Sequence, residues 1–316
     1  MTDAPHIPVM LAEVLETLSP KDGEIYVDGT FGAGGYTRAI LGKADCRVVA
    51  IDRDETAIAN GQALVEEMDG RLMLLHGAFG DVAQLLTQAG FEQVDGFVID
   101  IGVSSMQIDQ AERGFSFRYD APLDMRMDTS SGETAADIVN SREEEELANL
   151  IYAYGEERLS RRIAKAIVAE RVNGRIERTG QLAEIVRASV PRSPKDKLDP
   201  ATRTFQALRI AVNDELDELE RALAASLSIL KPGGRLVVVS FHSLEDRIVK
   251  TFLKDNSPAK SRTDKYASSQ DAHSASPFTL ITSKALIPTE AETKLNPRAR
   301  SAKLRAAIRT TCKEAA

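Results

Sequence analysis

The chemical residues of this chain that stand out first are two carboxylates spaced around a glycine cluster. Asp28 heads the turn Asp28-Gly29-Thr30-Phe31-Gly32-Ala33-Gly34-Gly35-Tyr36, and Asp52 ends the apolar run Arg47-Val48-Val49-Ala50-Ile51. The pattern predicts a buried strand, a glycine-rich turn opening a helix, and a second buried strand closed by an acid. In a parallel α/β sheet that arrangement holds an adenosine: glycines let backbone approach the ligand, and the acid suits a ribose diol. The turn lacks the third glycine of G-x-G-x-x-G, since Thr37 stands there, and Asp28 would repel a pyrophosphate while welcoming a cationic aminoacyl group. S-adenosylmethionine, with its ammonium and sulfonium, fits these residues better than a dinucleotide. A glycine-rich turn with no ligand is the competing reading, and Asp52 at the right distance weighs against it.

These residues need a sheet to position them. Over the first hundred residues the sequence alternates: a helix near 10–18, strand 25–28, helix 35–41, strand 47–51, helix 54–66, strand 72–75, helix 80–88 and strand 94–99. Such alternation predicts parallel strands with covering helices. From about 107 to 200 helical periodicity takes over, with apolar stripes at Leu147, Leu150, Ile151 and Tyr154, at Leu159, Ile163 and Ile167, and at Leu182, Ile185 and Val186. A long helix carrying Leu216, Leu219, Leu223, Leu227 and Leu230 follows, stopped by Lys231-Pro232-Gly233-Gly234 before the β-branched run Arg235–Ser240. Residues 255–276, rich in Ser, Asp and Lys, are expected to be a loop, and strands near 278–286 and 301–309 to close the sheet as a hairpin. The domain expectation is therefore a sheet domain of 1–107 and 201–316 interrupted by a helical insert of 108–200.

The chain has 316 residues, 43% of them hydrophobic, enough for a large core. It shows no apolar run of membrane-spanning length and no export signal, so a cytoplasmic protein without a membrane partner is expected. Cys46 and Cys312 are too far apart in sequence and pattern for a disulfide frame or a zinc motif, and His6, His76 and His273 share no ligand spacing; no metal is expected. Net charge is −8, against a general nucleic-acid binder, yet Arg158–Arg209 holds 13 Lys and Arg against five Asp and Glu. The tail from Lys294 to Lys313 is basic too. Each run suits either a solvated helix face or limited phosphate positioning.

Several longer strings then carry a resemblance over essentially the whole chain. They are His6-Ile7-Pro8-Val9-Met10-Leu11, the Asp28–Gly35 turn, Asp100-Ile101-Gly102-Val103-Ser104-Ser105, Glu112-Arg113-Gly114-Phe115-Ser116-Phe117, Pro122-Leu123-Asp124-Met125-Arg126-Met127-Asp128, Tyr154-Gly155-Glu156-Glu157-Arg158, Thr202–Arg209, Ser240-Phe241-His242-Ser243-Leu244-Glu245-Asp246-Arg247 and Asn296-Pro297-Arg298-Ala299-Arg300-Ser301. In this order they resemble the bacterial S-adenosylmethionine-dependent methyltransferases that modify N4 of a cytidine in 16S ribosomal RNA. The resemblance implies a class I, Rossmann-like α/β methyltransferase with a doubly wound sheet and an inserted all-helical domain. It implies S-adenosyl-L-methionine as cofactor and 16S ribosomal RNA in the decoding region of the small subunit as substrate. It leaves the oligomeric state open, a dimer being one option. Carried over by motif, the cofactor contacts are Gly34, Gly35, Tyr36, Asp52, Phe79, Asp100 and Gln107. Tyr36 departs from the family, where many members have His. Phe79 has a competing reading as a core aromatic, and Gln107 as a solvated loop residue.

Methyl transfer to an exocyclic amine asks the protein to align the amine with the methyl and to accept its hydrogen bond. Asp100, Ser104 and Ser105 are the expected catalytic residues, at the carboxyl edge of the fourth strand, although the two serines also suit a helix cap. DNA amino-methyltransferases carry a Pro-Pro-aromatic turn there, which this chain lacks. Methylation at cytosine C5 needs a cysteine nucleophile, and neither cysteine falls at that edge. His242 is expected to pack a turn rather than orient substrate, and Phe115, Phe117 and Tyr119 either anchor a loop or stack on a base. A nicotinamide enzyme is disfavoured by the missing glycine, and a catalytically silent RNA-binding factor by the intact Asp28, Asp52 and Asp100 series.

Overall fold

A computed structural model describes residues 8–191, 198–258 and 276–310. These residues divide into two compact units, with boundaries at 102/103 and 215/216: the described residues before and after those points form one unit and those between them the other. In the first unit the elements are α1 (Leu11–Leu18), β1 (Ile25–Asp28), α2 (Gly35–Lys43), β2 (Arg47–Asp52), α3 (Glu55–Glu67), β3 (Leu72–His76), α4 (Val82–Gln88) and β4 (Val94–Asp100). The second contains α5 (Ser105–Asp109), α6 (Ala135–Ser141), α7 (Glu144–Gly155), α8 (Ser160–Arg171), α9 (Thr179–Ser189) and α10 (Ala201–Asn213). The chain then returns to the first unit through α11 (Glu215–Ile229), β5 (Leu230–Ser240), α12 (Ser243–Asp255), β6 (Phe278–Leu280), α13 (Glu290–Leu295) and β7 (Lys303–Arg309). No helix among the described residues is long and apolar enough to cross a membrane.

The sheet runs β3-β2-β1-β4-β5-β7-β6. β1 to β5 are parallel, with Val27 beside Val49 and Phe97, and Asp100 beside Val239. β7 is antiparallel to both β5 and β6. Strand order reverses between β1 and β4, the doubly wound arrangement of a class I methyltransferase, and ligands of such sheets bind outside the strands' carboxyl ends at that reversal. The central strands are apolar on both faces because helices cover both. Val27, Ile51, Phe97, Ile99 and Val238 pack with Leu219 and Leu223 of α11 and Val249 and Leu253 of α12, all nearly sealed from solvent. Lys231–Gly234 shifts the register, since Leu230 pairs with Val94 and Arg235 with Gly96. Lys231 anchors the excursion on Asp95 at 2.8 Å. Asp246 of α12 holds β7 through Lys303 and Arg305, which keep its carboxyl below the usual range against the opposing effect of burial.

In the helical unit Leu147, Ile151, Ile163, Ile167, Leu182, Val186, Phe205 and Leu208 form one core, with Phe117 edge-on to Phe205. The boundaries lie at 102/103 and 215/216 rather than at 107/108 and 200/201. α10 belongs with the insert because it packs on α7, closely enough that a Cβ on Gly155 would stand 2.5 Å from the Arg203 carbonyl. Asn213, at the end of α10, donates to Met125 O at 2.8 Å and accepts from Met127 N at 2.7 Å, tying down the Leu123–Met127 string. Three other details differ from expectation. Leu159 is exposed at the start of α8 instead of joining its stripe. The strand expected over 278–286 is regular only at Phe278–Leu280; Ile281 and Thr282 then both donate to the Ala306 carbonyl at 2.9 and 3.2 Å, and Leu286 meets Leu304 in a single bridge. The expected loop begins beyond α12, which extends to Asp255, and most of it lies outside the described residues.

Candidate active site

The carboxyl edge of the sheet gathers three acids in the first unit. Asp28, the last residue of β1, is fully buried; its Oδ2 accepts from the Thr37 hydroxyl at 2.7 Å and its Oδ1 from the Thr30 N–H at 3.2 Å. Burial pushes its carboxyl up to about 6, with the nearby Asp52 charge adding to the shift. Asp52, ending β2, accepts from Gly32 N at 2.7 Å and from Asp54 N at 2.8 Å, and burial again raises it. Each carboxylate oxygen has a further lone pair, so two acceptor positions remain. Asp100, ending β4, is joined to the turn by its own N–H, which donates to the Thr30 hydroxyl at 2.8 Å. Its Oδ1 is sealed from solvent and accepts no hydrogen bond among the described residues. Burial, and then the charges of Asp28 and Glu245, push the Asp100 carboxyl well above the carboxylate range. A buried acceptor left unsatisfied is costly, and a cationic group is what these acids lack.

The glycine turn has more than one reason for its composition. Gly32 and Gly34 adopt the left-handed backbone, at φ of 53° and 77°. A Cβ on Gly32 would just touch the Thr30 carbonyl at 4.0 Å, whereas one on Gly34 would meet the Phe31 ring at 3.0 Å and one on Gly35 would meet Pro8 at 2.3 Å. Gly35 is thus demanded by the N-terminal Pro8-Val9-Met10 segment lying on the start of α2. Tyr36 belongs to the same packing: its ring is buried and its hydroxyl donates to the Val9 carbonyl. The backbone N–H groups of Gly35 and Tyr36, in the first turn of α2, have no intrahelical acceptor.

Phe79 lies in a short 3₁₀ turn after β3, half-buried against the sheet core, its Cβ 3.3 Å from where a Cβ of Gly29 would be. Sequence reasoning missed what fixes this turn. Glu218 of α11, 1% exposed, accepts from Arg53 at 2.7 Å and, more weakly, from the Gly80 N–H at 3.4 Å. Its two partners directly follow Asp52 and Phe79. A glutamate within a leucine-rich amphipathic helix gives no sign of this; the only available signal is the Phe79-Gly80 pair, since a Cβ on Gly80 would stand 2.8 Å from Glu218 Cγ.

Ser104 and Gln107 belong to the helical unit and are engaged with one another. Gln107 Oε1 accepts from Ser104 N at 3.0 Å and Ser104 Oγ accepts from Gln107 N at 3.2 Å, the reciprocal pattern of a helix cap. Gln107 is buried, not solvated. Ser105 opens α5, and only its backbone is described. His242 is the cap residue of α12: Glu245, fully buried, accepts from the N–H groups of Phe241 and His242 at 2.7 and 3.2 Å. Phe117 anchors its loop to Phe205, while Tyr119 is exposed.

A model of the MraW methylase family matches residues 3–310. The chain is 61% identical over 311 residues to the ribosomal RNA small subunit methyltransferase H of Paramagnetospirillum magneticum, spanning 98% of this chain and 97% of the relative. It is 57% identical over 307 residues to the protein of that name from Parvibaculum lavamentivorans, spanning 97% and 90%. For Rhodospirillum centenum the figures are 58% over 311 residues, spanning 98% and 94%.

Proposed function

The chain belongs to the MraW methylase family, and from that premise we propose that it methylates N4 of a cytidine in the 16S ribosomal RNA of the small subunit. It is an S-adenosylmethionine-dependent ribosomal RNA methyltransferase. The observation that carries the reading is the sealed Oδ1 of Asp100, unpartnered among the described residues, beside buried Asp28 at the point of the sheet where strand order reverses. A cation completes that group, and the cofactor brings one. When bound, S-adenosylmethionine supplies an electrophilic methyl on a positively charged sulfur.

The remaining work falls to the chain's own residues. Asp52 would take the ribose hydroxyls with its spare lone pairs, while Gly32 and Asp54 hold its carboxylate in place. Phe79 would lie along the adenine, and the N–H groups of Gly35 and Tyr36 would donate to the polar end of the cofactor. Asp100 would face the cationic end and stand ready to accept a hydrogen bond from the target amine, drawing electron density onto its nitrogen. Ser104 and Ser105 are proposed as substrate-side groups through backbone as much as hydroxyl, Ser104 Oγ being occupied by its cap.

Purified protein incubated with S-adenosylmethionine and 16S ribosomal RNA, naked or in the small subunit, is expected to yield N4-methylcytidine on digestion and mass spectrometry. The same nucleoside should be absent from the RNA of a strain lacking the protein. A 5-methylcytidine product, or no product from either substrate, would overturn the assignment.

Glu218 offers a separate check on how the adenosine side is held. Glu218→Gln keeps the volume but removes the charge facing Arg53, and a cost of about 1–3 kcal/mol in stability is expected by denaturant titration. If the Arg53–Glu218–Gly80 link positions Asp52 and Phe79, KM for S-adenosylmethionine should rise several-fold while kcat at saturation holds. A fall in kcat with unchanged KM would contradict that role.

A further inference from the structure

Of the thirteen basic residues between Arg158 and Arg209, the structure shows which are already committed within the helical unit. Arg175, Arg178, Arg187, Arg203 and Arg209 pair with Asp137, Asp120, Asp199, Glu157 and Glu215. Arg171 donates to the carbonyls of Val139 and Arg142 at 3.1 and 2.7 Å. Three more, at 192, 195 and 197, lie outside the described residues. Arg158, Arg161, Arg162 and Lys165 remain, all exposed, their side chains in no hydrogen bond or ion pair among the described residues.

We propose that Arg161, Arg162 and Lys165 of α8, with Arg158 just ahead of the helix, form the track that holds phosphates of the ribosomal RNA. The proposal rests on the RNA substrate argued above. Arg161 and Lys165 are one turn apart on the same line, and Arg162 flanks them. Ile163, Ala164 and Ile167 on the opposite side are fully buried, so the core sets which way the basic face points. The only acid of α8, Glu170, stands in its last turn.

Helix stability does not account for the placement. The first turn of α8 contains no acid, its cap residue Leu159 makes no side-chain hydrogen bond, and cations at that end oppose the helix dipole. Apart from the half-exposed Leu159 beside Arg158, the track carries no aromatic or large apolar side chain of the kind that anchors a protein partner. Point charges with freedom to move suit a phosphate backbone, which positions an RNA without reading its sequence. On a chain of net charge −8, a local track also limits binding to other RNA.

The test is filter binding of a 16S ribosomal RNA transcript to the full protein across about 50–200 mM salt. The triple variant Arg161→Ala, Arg162→Ala, Lys165→Ala should lower the slope of log affinity against log salt by about two, at about 0.7 per single-strand phosphate contact. At about 0.1 M salt its affinity should fall tenfold or more, with S-adenosylmethionine affinity unchanged. Arg161→Lys with Arg162→Lys keeps the charges and should keep the slope. If circular dichroism shows that alanine disturbs α8, the corresponding triple Gln variant is judged by the same slope. A parental slope in the neutral variant overturns the track. Failure of the proposed reaction is read separately, as a parent protein that binds the transcript but leaves no N4-methylcytidine in it.

Discussion

Asp100→Asn is expected to lower methyl transfer by on the order of 10² or more, with the fold retained. The substitution preserves the side chain's shape and the backbone link from Asp100 N to the Thr30 hydroxyl. What it removes is the negative charge the carboxyl carries once a cation is bound, at an oxygen that accepts no hydrogen bond among the described residues. It also presents an N–H₂ donor to the cationic end of the cofactor. The loss should appear first in cofactor affinity and then in kcat, since the same charge is proposed to act on the amine. Methylation at near the parent rate under saturating cofactor and RNA would reduce Asp100 to a structural residue, and the proton's acceptor would have to be sought among Ser104, Ser105 or nearby carbonyls.

The same substitution should change the response to pH. Without a cation, burial raises all three carboxyls, and the charge of Asp52 adds to the rise at Asp28, that of Asp54 at Asp52 and those of Asp28 and Glu245 at Asp100. Between the ordinary Asp value and about 6, folded Asp28 keeps a proton that the unfolded chain has released, so stability of the free protein falls as pH rises through that window. Binding of a cationic ligand favours the ionised forms, so S-adenosylmethionine affinity should rise over the same window. Removing Asp100 takes one coupled acid away and should make that rise shallower. An identical pH profile in parent and variant would count against a cation at this position.

Much of the sheet unit is legible in the sequence because its determinants are local. The runs Val48–Ile51, Phe97–Ile99 and Leu236–Val239 are apolar on both faces, which is how a covered parallel strand must look, and acids at the ends of such strands are conspicuous. The domain boundary was not legible for the opposite reason. Phe205 and Leu208 have the same spacing whichever unit they pack against, and what assigns α10 is the close approach of Gly155 to Arg203, far away in sequence. Glu218 escaped for a similar reason, its partners Arg53 and Gly80 being 165 and 138 residues away. The glycine turn was understood in part. Its composition matched a ligand-binding loop, yet Gly34 and Gly35 are also demanded by Phe31 and Pro8, contacts that no local pattern states.

Asp52→Ala is expected to weaken S-adenosylmethionine binding by about 1.5–3 kcal/mol for each charged hydrogen bond to the ribose that is lost. For one such bond that is about ten- to 150-fold in Kd. The structure gives Asp52 a second task besides the ribose. Its oxygens hold the N–H of Gly32 and of Asp54, so alanine also releases the glycine turn and should cost about 1–3 kcal/mol in stability. Affinity alone therefore cannot separate a lost ribose contact from a loosened turn. A ligand cycle can: the Kd of S-adenosylhomocysteine and of its 2′-deoxy analogue is measured with the parent and with the variant by calorimetry. If Asp52 accepts the 2′-hydroxyl, the parent should prefer the full ribose and the alanine variant should lose most of that preference, because the hydroxyl no longer has its acceptor. A turn defect would weaken both ligands by the same factor and preserve their ratio. An unchanged ratio would therefore remove Asp52 from the ribose and leave it as the clasp of the Gly32 turn.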